Sequence, residues 1–97
     1  MTLSKTKELG STSRISEQVR RYIVDNSLMG HDSGFGDQDS LLEAGIIDST
    51  AIMDVVAFLE SRFGIAVDDE DLVADNLDSV GRIARFVERK LAVKTAA

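Results

Sequence analysis

Apolar residues recur at helical spacing in three separate stretches of the chain. The first stretch runs from about residue 13 to residue 28, and its apolar face consists of Ile15, Val19, Tyr22 and Ile23. The spacing i, i+4, i+7, i+8 is typical of an amphipathic helix that packs one face against a core. Ser13 precedes this pattern, and it suits the N-cap position because its hydroxyl can accept a hydrogen bond from a free backbone N–H.

The second stretch predicts a helix from about Ser49 to Phe63. Its apolar stripe consists of Ile52, Val55, Val56, Leu59 and Phe63. Gly64 follows the stripe, as expected of a residue that ends a helix in a left-handed conformation. Met53 and Ala57 fall outside the stripe, which indicates either a contact surface or the edge of a small core.

The third stretch predicts a last helix over about residues 79–91. Its buried face consists of Val80, Ile83, Ala84, Val87 and Leu91. We expect Asp78 to cap this helix at its N-terminus. Arg89 and Lys90 are expected in its last turn, where the helix dipole favours cations.

The segments between these helices differ in length and character. Residues 65–67 predict an extended linker, after which Asp68 is expected to cap a short helix over about residues 69–74, with Asp71 in its first turn. Residues 29–48 predict a long loop, with a short turn that begins at Asp39 or Ser40. The apolar residues expected to anchor this loop to the core are Leu41, Leu42, Ile46 and Ile47.

The pattern predicts an all-α fold, because no stretch alternates in the manner of a strand. The expected architecture is a four-helix bundle with three long helices, one short helix and a long first loop. A chain of 97 residues suits one domain. We predict a folded domain over residues 13–92, a flexible N-terminal tail over residues 1–12 and a C-terminal tail over residues 93–97.

Charge is distributed unevenly along the chain, whose net charge is −6. Residues 37–78 hold twelve acidic side chains and one basic side chain, Arg62, which gives this segment a charge of −11. Such a segment repels nucleic acid and attracts basic protein surfaces. The acids could also serve only to keep the surface soluble, but they avoid both ends of the chain.

Composition narrows the possible locations and chemistry further. The chain contains no Cys, which excludes disulfides and thiolate chemistry. Its N-terminus has no apolar signal region, and the purely apolar run over residues 55–59 is too short to span a bilayer. We therefore expect a cytoplasmic monomer without membrane insertion.

Enzymatic chemistry finds little support in the sequence. His31 is the only histidine and is expected to be a solvated loop residue, so neither a catalytic triad nor a zinc site is indicated. The four consecutive acids at residues 68–71 lack the spaced ligands and glycine of a calcium loop. Their position at a helix start is better explained by the helix dipole.

Ser49 is the main candidate for chemistry, at the junction between the long loop and the second helix. The N-terminus of a helix offers free backbone N–H groups and a positive potential, which favour a phosphate ester. A hydroxyl outside the helical cylinder is also accessible. Asp78-Ser79 forms the same pair before another helix, so the pair Asp48-Ser49 alone is also explained by capping.

The residues around Ser49 carry a family resemblance. Residues 41–49, Leu-Leu-Glu-Ala-Gly-Ile-Ile-Asp-Ser, resemble the loop and attachment motif of acyl and peptidyl carrier proteins. The resemblance continues through Val55, Val56, Leu59, Glu60, Phe63, Gly64 and Ile65. It then includes the acids at residues 68–71 and the family-like start of the last helix at Leu77, Asp78, Ser79, Val80 and Ile83. It covers about residues 13–91.

This resemblance implies a carrier domain without catalytic residues. A phosphopantetheinyl transferase, using coenzyme A and Mg²⁺, would attach 4′-phosphopantetheine to Ser49, and Asp48 would help hold the metal during transfer. The thiol of the arm would carry an acyl or aminoacyl group as a thioester. The partners implied are the transferase, a loading ligase and downstream acyl-processing enzymes. Their predicted contacts on the second helix are Thr50, Met53, Asp54, Ala57 and Glu60.

The departures from the family pattern concern the pathway. Thr50 stands where fatty-acid carriers usually have Leu, and Ser61 and Arg62 stand where they tend to be acidic. The motif is closer to stand-alone carriers that work with an adenylating ligase, including D-alanyl carriers. Fatty-acid-like, polyketide-like and specialised pathways all stay open. The alternative function is a non-catalytic acidic helical adaptor that binds a basic protein partner.

Overall fold

The described part of the chain is built from helices alone. The computed structural model describes residues 11–30 and 34–96, and no strand occurs within them. The elements in order are α1 (Ser11–Ser27), α2 (Ser49–Phe63), a 3-10 turn (Asp69–Asp71), α3 (Ala74–Leu77) and α4 (Val80–Ala96). The predicted all-α bundle with three long helices is therefore confirmed, and the bounds of α2 are those predicted. None of the described helices combines the length and apolar character that a bilayer crossing requires.

The predicted apolar faces of the three long helices meet in one core. Its buried members from the predicted faces are Ile15, Val19, Ile23, Val55, Val56, Leu59, Val80, Ile83, Ala84 and Val87. Half-buried residues at its edge are Tyr22, Ile52, Phe63 and Leu91. Each buried Leu or Ile side chain stabilises the fold by roughly 1.5–3 kcal/mol. Phe86 is also buried, which widens the core face of α4 beyond the predicted stripe.

Two helices are longer than the sequence pattern indicated. Helix α1 begins at Ser11, so Ser13 lies inside it and the predicted N-cap is wrong. Helix α4 continues to Ala96, so Arg89 and Lys90 lie in its middle and not in its last turn. The Lys90 ammonium instead contacts the Asp71 carboxylate at 2.8 Å. The position of Lys90 therefore reflects a contact with the 3-10 turn and not an interaction with the helix dipole.

The short helix predicted over residues 69–74 is wrong, because two separate turns replace it. Asp68 occupies the N-cap position of the 3-10 turn, as predicted, and its backbone N–H donates to the Asp71 side chain at 2.9 Å. The chain then becomes extended at Val73, which has φ −128° and ψ 155°. Helix α3 starts after this extended residue, so the predicted continuous helix is interrupted.

The long loop is fixed to the helices at several points. Leu41 and Ile47 are buried and Ile46 is half-buried, whereas Leu42 is 39% exposed, so the predicted anchor at Leu42 is wrong. Phe35 is an anchor that the sequence pattern missed. The Arg20 guanidinium lies 4.2 Å from the centre of the Phe35 ring and donates to the Asp37 carboxylate at 2.9 Å. His31 and the first ten residues of the tail predicted over residues 1–12 lie outside the described residues.

Candidate functional site

Asp48 and Ser49 begin helix α2, and they have different structural roles. Asp48 is extended, with φ −120° and ψ −176°, and its Oδ1 accepts a hydrogen bond from the backbone N–H of Ala51 at 2.8 Å. Its carbonyl accepts from the backbone N–H of Ile52 at 3.0 Å. Asp48 is therefore the N-cap, and Ser49 is the first helical residue. The expectation that the Ser49 hydroxyl is accessible because it occupies a cap position outside the helical cylinder is wrong, since Asp48 holds that position.

The Ser49 side chain is exposed at the positive end of α2. Within the described residues, its hydroxyl makes no hydrogen bond, and no acceptor faces the backbone N–H of Ser49 or Thr50. These two N–H groups are among the four that a helix leaves without an intrahelical partner. Together with the dipole they favour an anion at this position. The surroundings of the hydroxyl therefore fit a phosphodiester.

Asp78-Ser79 has the same two residue types with the roles exchanged. Ser79 is 2% exposed, and its hydroxyl accepts a hydrogen bond from the backbone N–H of Arg82 at 3.1 Å. Ser79 is thus the N-cap of α4, and the predicted cap at Asp78 is wrong. The Asp78 side chain turns to the long loop instead, where Oδ2 accepts from the Ser40 hydroxyl at 2.6 Å. The cap is the first residue of the pair at α2 and the second residue of the pair at α4. This difference of one position leaves Ser49 exposed and Ser79 buried.

An open groove lies beside Ser49. It is formed by the end of α1, the second half of the long loop and the start of α2, and its lining residues are Ser27, Leu42, Gly45, Ile46, Ile47, Asp48, Ser49 and Ala51. The lining is mostly small or apolar, so a flexible arm attached to Ser49 could lie in it. Sequence reasoning missed Ser27 because only the tertiary structure brings the end of α1 next to this loop.

The five predicted partner contacts share one exposed side of α2. Thr50, Met53, Asp54, Ala57 and Glu60 are all exposed. Their spacing by three or four residues places them on neighbouring turns. The surface formed by these five residues is called the α2 face below. It lies on the same helix as Ser49, so a protein that contacts the α2 face also approaches the hydroxyl.

Two residues of the α2 face also have structural contacts. The Glu60 carboxylate accepts a hydrogen bond from the backbone N–H of Val67 at 2.9 Å, which ties the linker to α2. The carbonyl of Asp54 accepts from the Tyr22 hydroxyl at 3.2 Å. Burial of the Tyr22 ring, and secondly the nearby Asp54 carboxylate, raise the pKa of Tyr22 above its usual value. Substitutions at Glu60 therefore change the linker as well as the surface.

Two of the four acids at residues 68–71, Asp68 and Asp71, contact α4. Lys90 Nζ lies 2.8 Å from Asp71 Oδ2 and 3.5 Å from Asp68 Oδ2. The hydrogen bond from Lys90, followed by that from the backbone of Asp68, lowers the pKa of Asp71. Within residues 11–30 and 34–96, no three His, Cys, Asp or Glu side chains come together as a set that could hold a metal ion.

Comparison with known proteins agrees with this geometry. The family model described as a phosphopantetheine attachment site matches residues 18–87, which is well over half of the chain. An acyl carrier protein of Thermotoga maritima is 31% identical over 83 residues, which are 86% of this chain and 99% of that protein. The family resemblance noted in the sequence is thereby confirmed. The chain belongs to the phosphopantetheine-binding family of carrier proteins, whose cofactor is a covalently attached 4′-phosphopantetheine.

Proposed function

We propose that Ser49 carries the 4′-phosphopantetheine arm and that this chain presents acyl or aminoacyl groups to partner enzymes. The observation that supports this most directly is the exposed Ser49 hydroxyl at the first position of α2, beside two backbone N–H groups without an acceptor in the described structure. When bound, the arm supplies a thiol that holds the cargo as a thioester. The chain positions this cargo and performs no catalysis.

Ser49 and Asp48 have different proposed roles in the attachment of the arm. The Ser49 oxygen forms a bond to the β-phosphorus of coenzyme A while the pyrophosphate bond breaks, so adenosine 3′,5′-bisphosphate leaves and the hydroxyl proton passes to the transferase or to water. Asp48 uses Oδ1 to cap α2. Its Oδ2 has no partner among the described residues, which leaves one oxygen for the Mg²⁺ of the transferase.

The α2 face is the proposed docking surface for the transferase, a loading ligase and downstream acyl-processing enzymes. Asp54 and Glu60 provide its charge, and Thr50, Met53 and Ala57 provide small or apolar contacts. Met53 is 54% exposed, although a Met side chain is more often buried. An acidic surface around an apolar contact fits a partner with basic residues around a shallow apolar site.

The proposed pathway is based on the positions of α2 at which this chain differs from fatty-acid carriers. Thr50, Ser61 and Arg62 give α2 fewer apolar and acidic side chains than those carriers tend to have, and all three residues are exposed. Enzymes that select by these positions would discriminate against this chain. We therefore propose a specialised cytoplasmic carrier that is loaded by an adenylating ligase.

The assignment of Ser49 is tested by modification in a cell. The full chain is co-expressed with a broad-specificity phosphopantetheinyl transferase, and its intact mass is measured. We expect the parent chain to gain the mass of one arm and Ser49→Ala to gain none. The control is Ser61→Ala, which removes another exposed serine hydroxyl from the same helix and is expected to be modified normally.

Two outcomes would contradict the proposal. Modification that persists in Ser49→Ala would show that another residue carries the arm. A folded parent chain that remains unmodified would favour the acidic adaptor, which needs the α2 face but no arm.

A further inference from the structure

Asp78 connects the start of α4 to the loop that precedes Ser49. Its Oδ2 accepts a hydrogen bond from the Ser40 hydroxyl at 2.6 Å, and its Oδ1 accepts from the backbone N–H of Leu42 at 3.0 Å. Its carbonyl accepts from the backbone N–H of Leu41 at 2.8 Å. Three acceptors of one residue thus hold three consecutive loop residues that lie almost forty positions earlier in the chain.

The loop residues held by Asp78 belong to one hydrogen-bonded turn. The Ser40 hydroxyl donates to Asp78 and also accepts from the backbone N–H of Glu43 at 3.1 Å. The backbone N–H groups of Ala44 and Ile46 donate to the carbonyls of Ser40 and Leu41, at 3.0 Å and 2.9 Å. These contacts make residues 40–46 a single unit, so the orientation of its first residues determines that of its last.

This turn leads directly to the attachment site. The backbone N–H of Ile47 donates to the Leu41 carbonyl at 3.3 Å, and the Ile47 side chain is 5% exposed. Asp48 and Ser49 follow immediately. Asp48, whose carboxylate caps α2, has the extended conformation typical of an N-cap residue. The path from Asp78 to Ser49 therefore consists of contiguous contacts.

From these contacts we infer that Asp78 is a positioning residue for the modification of Ser49. It keeps the turn over residues 40–46 docked, and the docked turn presents Asp48 and Ser49 to the transferase. This inference rests on the proposed function of Ser49. It also gives a role to the second Asp-Ser pair of the chain, in which Ser79 caps α4 and Asp78 holds the loop.

The two carboxylate oxygens explain why an aspartate is suited to this position. Each oxygen accepts one hydrogen bond, and a charged acceptor makes both bonds stronger than neutral ones. In Asp78→Asn one oxygen is replaced by an NH₂ group, which cannot accept a hydrogen bond. Either the Ser40 hydroxyl or the Leu42 N–H then loses its acceptor, so the turn spends more time undocked.

An undocked turn has a defined kinetic signature. If the transferase recognises only the docked turn, the apparent affinity of the transferase for the carrier is its intrinsic affinity multiplied by the fraction of chains in which the turn is docked. Chemistry within the correctly bound complex stays the same. We therefore expect Asp78→Asn to raise KM of the carrier for the transferase and to leave kcat nearly unchanged.

The experiment compares initial rates of transfer to the purified apo chain. For Asp78→Asn we expect kcat/KM to fall by more than about twofold and by at most about tenfold, because the loss of one charge-assisted hydrogen bond weakens the docking equilibrium about tenfold and the docked fraction cannot fall further than that. Ser40→Ala removes the same bond from the other side, together with the bond from the Glu43 N–H to the Ser40 hydroxyl, and is expected to reduce kcat/KM at least as much. The matched control is Asp75→Asn, because Asp75 has the same charge and lies three residues away, with a side chain that is 94% exposed. Its kcat/KM is expected to stay within about twofold of the parent value.

Amide hydrogen exchange of the apo chain provides a second readout. In Asp78→Asn we expect the N–H groups of Ala44 and Ile46 to exchange faster, while those of Val19 and Ile23 in α1 keep their protection. Uniform loss of protection in α1 and in the turn would mean that Asp78 acts through overall stability, and the inference would be overturned. If Asp78→Asn does not fold, Ser40→Ala decides, since it leaves the junction of α3 and α4 unchanged.

The outcomes separate this inference from the proposed function. If the parent chain is modified at Ser49 and Asp78→Asn behaves like Asp75→Asn, the role of Asp78 is refuted while Ser49 remains the attachment residue. If the parent chain is not modified at Ser49, the proposed function fails and this role of Asp78 fails with it. In that case, fast exchange confined to the turn would show only that Asp78 holds the loop.

Discussion

Asp48 caps α2 and is proposed to support Mg²⁺ during transfer, and these two roles depend on different features of its side chain. Oδ1 caps α2 through the backbone N–H of Ala51 at 2.8 Å. Capping requires only an oxygen acceptor, and Asn provides one as well as Asp does. Holding Mg²⁺ during transfer requires negative charge, which Asn lacks. The two roles can therefore be separated by substitution.

We expect Asp48→Asn to fold as stably as the parent chain but to accept the arm at Ser49 much more slowly. The free energy of unfolding, measured by urea denaturation, should stay within about 0.5 kcal/mol of the parent chain, whereas Asp48→Ala should lose about 1 kcal/mol with the cap. Transfer to Ser49 should be slow in both variants. A normal transfer rate in Asp48→Asn would show that the carboxylate charge is not needed, and equal instability of both variants would show that the cap is not replaced by Asn.

At the scale of elements, α4 holds the 3-10 turn through a pair of charged groups. Lys90 Nζ lies 2.8 Å from Asp71 Oδ2. The hydrogen bond to Asp71 raises the pKa of Lys90, and the same bond lowers the pKa of Asp71. The folded chain thus favours the charged form of both groups. Because both are near the surface, the pair is sensitive to salt.

The lowered pKa of Asp71 predicts how stability changes in acid. Its ordinary value is 3.8, and the unfolded chain takes up the proton at this higher pH. The stabilisation by Asp71 is therefore present in full above pH 3.8 and is lost as the pH falls through the lowered pKa of the folded chain. We expect the parent chain to be more stable than Asp71→Asn near neutral pH and this difference to vanish in acid.

Urea denaturation across the acidic range checks this prediction. The control is Asp75→Asn, because the Asp75 carboxylate is 94% exposed and lies 3.8 Å from Arg82, so it forms a weak surface pair. Its difference from the parent chain should be small at every pH. A difference between the parent chain and Asp71→Asn that does not depend on pH would contradict the role of charge and point to packing instead.

At the scale of the whole molecule, the charge is segregated along the fold. Residues 37–78, which include the second part of the long loop, α2 and the linker, hold twelve of the seventeen acidic residues of the chain. Helix α4 carries five basic residues, Arg82, Arg85, Arg89, Lys90 and Lys94. An uneven distribution of this kind orients the molecule as it approaches a charged partner, more than it adds to final affinity.

This distribution predicts a position-dependent effect of charge reversal. We expect Asp54→Lys to raise KM of the carrier for the transferase at low salt and the effect to shrink at high salt. Asp75→Lys makes the same change in net charge away from α2 and is the control. Equal effects of the two variants would mean that net charge alone matters. Glu60→Lys is a less clear test because it also breaks the hydrogen bond to Val67.

Ser49→Ala distinguishes a carrier from the adaptor alternative, whereas Asp54→Lys is expected to inactivate both. A carrier needs both the α2 face and Ser49, so its biological activity should be lost in Ser49→Ala as well as in Asp54→Lys. An adaptor needs only the acidic surface, so Ser49→Ala should remain active.

Features that depend on neighbouring residues could be predicted from the sequence alone. The bounds of α2 follow from a stripe with helical spacing that ends at Phe63, followed by Gly64, which adopts φ 68°. Most of the core follows from the same spacing in α1 and α4. Ser49 is the proposed attachment residue because the local motif and the start of the helix coincide there. Each of these signals lies within a few residues, so a short stretch of the sequence contains it.

Which Asp-Ser pair presents an exposed serine depends on contacts between distant parts of the chain. Asp78 reaches Ser40 across 38 positions, and Lys90 reaches Asp68 across 22. Leu42 was expected to be buried and Phe35 was overlooked for the same reason, because the burial of a loop side chain depends on what packs against it. Periodicity describes one helix face at a time and contains no information on such distant partners. Ser49 is exposed and Ser79 enclosed because the surrounding fold, and not the shared residue pair, determines which side chain caps the helix.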